Sequence, residues 1–141
     1  MHSRKNRAYV SVSHNERQSL RGALDAIGET LGEFKFESFI FVDHYSFARD
    51  QEKEMMKQAM KDIDQSQLMV IEASYKAIGI GVEAGYGKAK NKPIVYVRKK
   101  EAEHSTAVSG ISDMHIIYDS ISDLRLKLSE ALKSMQAHSL L

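Results

Sequence analysis

The stretch that decides the fold is LMVIEASYKAIGIGVEAGYGKAKNKPIVYV, residues 68–97. Its two ends, LMVIEA (residues 68–73) and PIVYV (residues 93–97), are almost continuously apolar, which is typical of strands that helices cover on both faces. Between them we predict a helix from about residue 81 to residue 90. A strand, a helix and a second strand in this order favour two parallel strands of one sheet.

The rest of the chain repeats this alternation. Strands are predicted at residues 8–13 (AYVSVS), 36–43 (FESFIFVD) and 114–119 (MHIIYD). Three helices are predicted from apolar residues at helical spacing: Leu20, Leu24, Ile27 and Leu31; Met55, Met56, Met60 and Ile63; and Leu124, Leu128, Leu132 and Met135, the last with Ser120 as its N-cap. We therefore predict an α/β fold, a three-layer sandwich on a five-stranded parallel sheet of the flavodoxin or Rossmann type. Residues 1–141 are expected to form a single domain, with residues 1–7 and 136–141 frayed.

The composition limits the class of partner. The chain is 43% apolar and 28% charged, as expected for one compact domain, and its net charge of +1 does not resemble the basic surface of a nucleic-acid binder. There is no cysteine, and the basic start MHSRKNR is followed only by a short apolar strand, so we expect no disulfide, thiolate zinc site or signal peptide. We predict a cytoplasmic protein that binds a small molecule and uses no cofactor, metal, membrane or nucleic acid.

Polar residues follow the first three predicted strands. In sheets of this kind, ligands bind outside the carboxyl ends of the strands, where the strand order reverses. Ser13 follows the first strand, Asp43 and His44 follow the second, and Ser74 follows the third. Ser13 and Arg17 are candidates for a phosphate cradle beside a helix start, with an ordinary capping turn as the alternative. Asp43 and His44 are either site residues or solvated loop residues.

Glu83 stands alone among four glycines. Gly79 and Gly81 precede it and would allow a substrate to approach the backbone closely. We place Glu83 in the first turn of its helix, where free N–H groups and the helix dipole favour an ionised carboxylate. Glu83 is then either a functional charge or a residue that only stabilises the helix start. The methionines before Ile63 are interpreted as core residues.

Residues 65–97, QSQLMVIEASYKAIGIGVEAGYGKAKNKPIVYV, resemble the nucleoside 2-deoxyribosyltransferase superfamily, and most closely its branch of 2'-deoxynucleoside 5'-monophosphate N-glycosidases. A strand, a loop, a G-x-x-x-E-x-G helix start and a K-P-I strand come in the same order. The resemblance extends more loosely to YVSVS, to DH after the second strand and to STAVSG before the fifth. It implies cleavage or transfer at the N-glycosidic bond of a nucleoside or nucleoside 5'-monophosphate, with Glu83 as the nucleophile and Tyr9 beside it.

The resemblance also implies an assembly. In the family, a loop before the last strand completes the pocket of the neighbouring protomer. The segment HSTAVSG (residues 104–110) occupies that place here, and Ser105 and Thr106 supply its hydroxyl groups. We therefore expect a homodimer or a higher homo-oligomer.

Two positions depart from the family pattern. Ala59 stands where members usually carry an aspartate that helps to expel the base, and Ala77 stands where the nucleotide-cleaving branch has a small hydroxyl residue that helps to hold the phosphate. Ser74 is a candidate to replace that hydroxyl. Asp62, Asp43 and His44 are candidates to replace the acid, because loss of a general acid commonly costs about 10²–10⁴-fold in rate.

Three interpretations remain open. The first is a nucleoside or nucleotide N-glycosidase or deoxyribosyltransferase. The second is a binding module that has kept the pocket and lost the acid, with weak or no catalysis. The third rests on residues 8–31, AYVSVSHNERQSLRGALDAIGETL, which look faintly like the start of a TIR domain, a fold in which some members cleave nicotinamide dinucleotides with a glutamate.

Overall fold

Residues 6–141 are described by a computed structural model, in which strands and helices alternate along the chain. The strands are β1 (Asn6–Val12), β2 (Phe36–Ile40), β3 (Leu68–Glu72), β4 (Ile94–Lys99) and β5 (Met114–Tyr118). The helices are α1 (Arg21–Glu33), α2 (Glu52–Asp64), α3 (Ile78–Ala89), α4 (Thr106–Gly110) and α5 (Ile121–Ala137). Short 3-10 turns lie at His14–Glu16, Phe41–Asp43 and Arg49–Gln51.

The strands form one parallel sheet in the order β2-β1-β3-β4-β5. The chain starts at β1 inside the sheet, moves to one side for β2, and then crosses to the other side for the remaining strands. The strand order therefore reverses between β1 and β3, which is where sheets of this type bind ligands. The predicted α/β fold with a five-stranded parallel sheet is confirmed.

Helices cover both faces of the sheet, as the near-continuous apolar sequence of β3 predicts. One face packs against α1 and α5, whose buried residues include Leu24, Ile27, Leu128 and Leu132. The other face packs against α2 and α3, and its core includes Ile63 from α2. Ser120 accepts a hydrogen bond from the N–H of Asp123 at 3.1 Å, which confirms it as the N-cap of α5.

Helix α3 approaches the sheet closely at Gly87. A Cβ atom at this position would overlap the sulfur of Met69 and lie 3.3 Å from the Cε methyl of that residue. Met69 is fully buried in β3, so it has little room to move away. The absence of a side chain at Gly87 therefore sets how closely α3 packs on the sheet.

Two differences from the sequence prediction are α4, which lies in the segment predicted as a loop, and the start of α3. The helix begins at Ile78, directly after the extended residue Ala77, and not near residue 81. The two early glycines each cost about 1 kcal/mol of helix propensity, but Ile80 and Ala84 bury one face of the helix and tertiary packing offsets this cost. Glu83 consequently lies in the second turn of α3, so its placement in the first turn was wrong.

Other boundaries differ by a few residues. Strand β2 ends at Ile40, and the predicted end of that strand is a 3-10 turn that carries Asp43. Strand β1 begins at Asn6 and α5 runs to Ala137, while fraying of the two ends stays a prediction. Within residues 6–141, no helix has both the length and the apolar character that a membrane span requires.

Candidate active site

A cavity of about 580 Å³ opens beside the carboxyl ends of β1 and β2. Helix α2 and the N-terminal half of α3 form its other walls. Tyr9, Ser11 and Glu83 lie on its polar side, while Phe41, Tyr45 and Met56 line its apolar side. The cavity therefore lies at the end of the sheet that the topology predicts.

Glu83 is held by two hydroxyl groups of β1. The phenol of Tyr9 donates a hydrogen bond to its Oε2 atom, and Ser11 Oγ donates one to its Oε1 atom at 2.6 Å. Tyr9 and Ser11 are two positions apart on a strand, so both side chains point to the same face of the sheet. The predicted proximity of Tyr9 to Glu83 is confirmed. Ser11 was not among the residues predicted for the site, although the period of two along YVSVS places it on the same face of the strand as Tyr9.

Burial governs the protonation of this pair. It raises the pKa of Glu83 above its ordinary value, and the hydrogen bonds from Ser11 and Tyr9 partly offset that rise. The pKa of Tyr9 is also raised, first by burial and then by the adjacent carboxylate. Tyr9 therefore remains a proton donor at neutral pH, and its hydrogen bond favours the ionised form of Glu83. A carboxylate that is held in this way and only partly exposed is suited, when ionised, to act as a nucleophile.

Aromatic and sulfur-containing side chains form the opposite wall. Phe41 and Phe47 lie nearly parallel, with 6.0 Å between ring centroids and 7° between ring planes, and Tyr45 lies 4.9 Å from Phe41. Met55 and Met56 of α2 also line the cavity, so their interpretation as core residues was wrong. Flat rings and polarizable thioethers form a surface suited to a planar heterocycle.

The two positions that depart from the family pattern both lie at the cavity. Ala59 is 2% exposed in the wall formed by α2, and Ala77 lies at the start of α3. Asp62, one turn after Ala59, is 3% exposed but does not line the cavity. It accepts a hydrogen bond from Gln58 at 3.3 Å and pairs with Arg7 at 3.6 Å.

Arg17 and Asp43 bind each other. Nε and Nη2 of Arg17 each donate to a different carboxylate oxygen of Asp43, both at 2.9 Å. Ser13 is buried and directly precedes the 3-10 turn at His14–Glu16. Its carbonyl accepts a hydrogen bond from the N–H of Glu16 at 3.0 Å. His44 stacks on Phe39 with 4.3 Å between the ring centroids. None of these four predicted binding residues lines the cavity.

The remaining predicted binding residues divide into two groups. Gly79 lines the cavity, whereas Gly81 is exposed outside it. Ser74 lies away from the cavity, where its Oγ accepts from the N–H of Lys99 at 2.8 Å. Ser105 caps α4 by accepting from the N–H of Val108, and the adjacent Thr106 is exposed, so neither lines the cavity of its own chain.

A second buried carboxylate lies on the opposite face of the sheet. Glu72 accepts hydrogen bonds at 2.7 Å from the N–H of Ser74 and from the phenol of Tyr118. Burial raises its pKa, and these hydrogen bonds partly offset the rise. Glu72 is paired with a tyrosine, as Glu83 is, but it is fully buried and does not line the cavity.

Within residues 6–141, no group of three or more His, Asp or Glu side chains could hold a metal ion.

No protein-family model matches the chain, and no curated protein is significantly similar to it. Solved structures do match it. The CMP N-glycosidase BcmB of Clostridium botulinum superposes with a TM-score of 0.65 and 16% identity, over 89% of this chain and 99% of the other. A 2-deoxyribosyltransferase from Bacillus psychrosaccharolyticus gives a TM-score of 0.65 and 12% identity, over 84% and 90%.

A third structure, a 2-deoxyribosyltransferase of Leishmania mexicana, gives a TM-score of 0.59 and 10% identity, over 89% of this chain and 97% of the other. At these identities the likeness concerns the fold, and it extends over nearly the whole length of each structure. The chain therefore has the fold of the nucleoside 2-deoxyribosyltransferase-like proteins, as the resemblance of residues 65–97 implied.

Proposed function

We propose that this protein breaks or transfers the N-glycosidic bond of a nucleoside or nucleotide, with Glu83 as the nucleophile. The observation that carries the proposal is the carboxylate of Glu83, which two hydroxyl groups hold at the edge of a cavity with an aromatic wall. The alternative role of Glu83, a charge that stabilises the helix start, loses its support because the residue lies in the second turn of α3.

The proposed reaction has two steps. An oxygen of Glu83 attacks the anomeric carbon, the bond from that carbon to the base nitrogen breaks, and the base departs with the bonding electrons and acquires a proton. Water or a second base then attacks the same carbon and loses a proton, and the ester oxygen returns to Glu83 as a carboxylate. The apolar wall of Phe41, Phe47 and Met56 binds the base, while Gly79 leaves room for the sugar.

We further propose that the protein acts as a homodimer. Ile78 is 89% exposed and Val82 is 50% exposed, which is unusual for large apolar side chains on a helix beside a cavity. Ser105 and Thr106 lie at the start of the neighbouring α4, where a second protomer would meet them. A location in the cytoplasm and the absence of a nucleic-acid partner stay predictions from composition.

The proposal is tested by incubating the protein with deoxynucleosides, ribonucleosides, their 5'-monophosphates and NAD, followed by chromatography of the free base. We expect base release by the wild type and almost none by Glu83→Gln, because an amide cannot form the glycosyl ester. Glu72→Gln is the matched control, since it changes a buried glutamate that also binds a tyrosine, and it should keep the activity. Equal release by wild type and Glu83→Gln would disprove the assignment, and release only from NAD would favour the TIR interpretation.

A binding module without catalysis is the second candidate, and Ala59 is the observation that favours it. An aspartate at this point of the wall would face the departing base, and alanine offers it no proton. This candidate predicts that no substrate of the panel releases base, and that Glu83→Gln changes only the affinity for the ligand. Base release by Ala59→Asp together with none by the wild type would support it.

A further inference from the structure

We infer that the site takes an unphosphorylated nucleoside, because no lysine or arginine is among the described residues that line the cavity, and because Arg17, in the turn after β1, is already bound to a carboxylate of the same chain. This inference rests on the proposed function and narrows its substrate class. His14 and Ala77 line the cavity. Arg17 lies three residues after His14, and Lys76 directly precedes Ala77. Arg17 is bound to Asp43, and Lys76 is bound to Glu103 at 2.7 Å.

The bond between Arg17 and Asp43 uses the geometry that a phosphate would need. Two parallel N–H groups of a guanidinium bind two oxygens of one anion, and this fork is how arginine also recognises phosphate. A nucleotide would have to displace Asp43 from Arg17 and leave that carboxylate beside the incoming phosphate. The hydrogen bonds to Asp43 also raise the pKa of Arg17, so they favour its charged guanidinium form.

The cavity itself provides little positive charge. Among the described residues that line it there is no lysine or arginine, and Glu83 contributes a carboxylate. A nucleoside 5'-phosphate would add a charge of about −1.5 to −2 at pH 7. The free N–H groups at the start of α3 offset only part of this, since a helix N-terminus is equivalent to about +0.5 of a charge.

A neutral sugar hydroxyl fits the same surroundings. Ala77 and Gly79 bring the backbone of the first turn of α3 to the cavity, and a hydroxyl oxygen can accept a hydrogen bond from these N–H groups without a counter-charge. Ala77 has no hydroxyl group to add to them. The carboxylate of Glu83 and the 5'-hydroxyl of a nucleoside therefore coexist in the cavity, whereas Glu83 and a phosphate repel each other.

The test compares kcat/KM for one 2'-deoxynucleoside and its 5'-monophosphate at constant ionic strength, with the base chosen from the panel above. We expect the nucleoside to be preferred by about tenfold or more, the scale set by one charge-assisted hydrogen bond. Asp43→Asn should shift the ratio of the two kcat/KM values toward the monophosphate, because it frees Arg17. A monophosphate that the wild type cleaves as well as the nucleoside would overturn the inference.

The matched control is Glu29→Gln. This variant removes the same charge and frees Arg125 from an exposed ion pair of 2.6 Å, but on α1 and α5 across the sheet from the cavity. It should leave the ratio at the wild-type value, and an equal shift in both variants would mean that net charge alone, and not Arg17, sets the preference.

Binding separates failure of this inference from failure of the proposed function. Calorimetry of the wild type with a C-nucleoside and its 5'-monophosphate, in which a carbon–carbon bond replaces the cleavable N-glycosidic bond, measures the Kd of both ligands without turnover and keeps the carboxylate of Glu83. Tighter binding of the nucleoside supports the inference even if the wild type releases no base, in which case only the proposed catalysis is wrong. Tighter binding of the monophosphate, or no binding of either ligand, overturns the inference.

Discussion

The hydroxyl of Ser11 donates a hydrogen bond of 2.6 Å to Glu83, a residue 72 positions later in the chain. Tyr9 donates a hydrogen bond to the other oxygen of the same carboxylate. Burial raises the pKa of Glu83, and these two hydrogen bonds partly lower it again. If Glu83 must be ionised to attack, activity falls as the pH drops through its pKa. In the proposed reaction, these two bonds would therefore set how far toward acid pH the activity extends.

We accordingly predict that Ser11→Ala and Tyr9→Phe move the acid limb of the pH profile of kcat/KM to higher pH. Each variant removes a donor to the ionised carboxylate, so the pKa of Glu83 rises further and the relative loss of activity is largest at acidic pH. Tyr118→Phe is the control, because it removes the tyrosine hydroxyl that binds Glu72 and should not move the limb. A limb that stays in place in Ser11→Ala and Tyr9→Phe would mean that another group titrates.

Glu72 gives a prediction about stability. Its pKa in the folded protein is raised, so its contribution to stability is complete below the unfolded value of about 4.3 and is lost as the pH rises through the folded value. Glu72→Gln has no proton to lose. We therefore expect the free energy of unfolding of the variant to equal or exceed that of wild type at pH 7, and any such excess to disappear near pH 4. Urea unfolding at both pH values measures these free energies.

Asp123 provides the control of opposite sign. Its pKa is lowered, mainly by the backbone N–H of Asp119 and also by Lys127, so its contribution is present at neutral pH and is lost in acid. Asp123→Asn should lower the stability at pH 7 and not at low pH. If Glu72→Gln behaved in the same way, the ionised form of Glu72 would be the stabilised one.

Gly87→Ala should destabilise the protein, by about 1–3 kcal/mol, because the new methyl group overlaps the sulfur of the buried Met69. The free energy of unfolding in urea measures this change. Gly32→Ala is the control, since it adds the same methyl group to a helix position with no atom within 4 Å and should maintain or increase the stability. Equal values for the two variants would show that α3 can move away from the sheet.

Ile78→Glu should convert the predicted homodimer into monomers. The substitution puts a charge on an apolar side chain that is 89% exposed at the start of α3. Light scattering at micromolar concentration gives the mass. Leu126→Glu is the control on α5, where the replaced leucine is 60% exposed on the other side of the sheet and should leave the dimer intact. A monomeric wild type would contradict the prediction.

Local patterns predicted most elements of the fold. The apolar run in β3 and the helical spacing of Leu24, Leu128 and Leu132 correctly located strands and helices, because burial on a face imposes the period of that element on the sequence. The start of α3 could not be predicted in this way. Glycines weaken a helix locally, but here the packing of Ile80 and Ala84 on the sheet extends it past them.

The candidate site was predictable only in part. The family resemblance of residues 65–97 pointed to Glu83 as a candidate site residue, and the looser resemblance of YVSVS pointed to Tyr9. Met55 and Met56 show the limit of periodicity, because an apolar face of a helix looks the same in sequence whether it meets the core or a cavity.

By itself, the sequence determined the alternation of strands and helices and the residue types available for chemistry, since these depend on neighbours along the chain. Tertiary structure alone decided which of those residues meet. The pairing of Ser11 with Glu83, of Arg17 with Asp43 and of Tyr118 with Glu72 follows from the strand order and from the parallel register of the sheet. These contacts join residues 26 to 72 positions apart, and no local pattern specifies the distance between such residues because the packing of the whole sheet sets it.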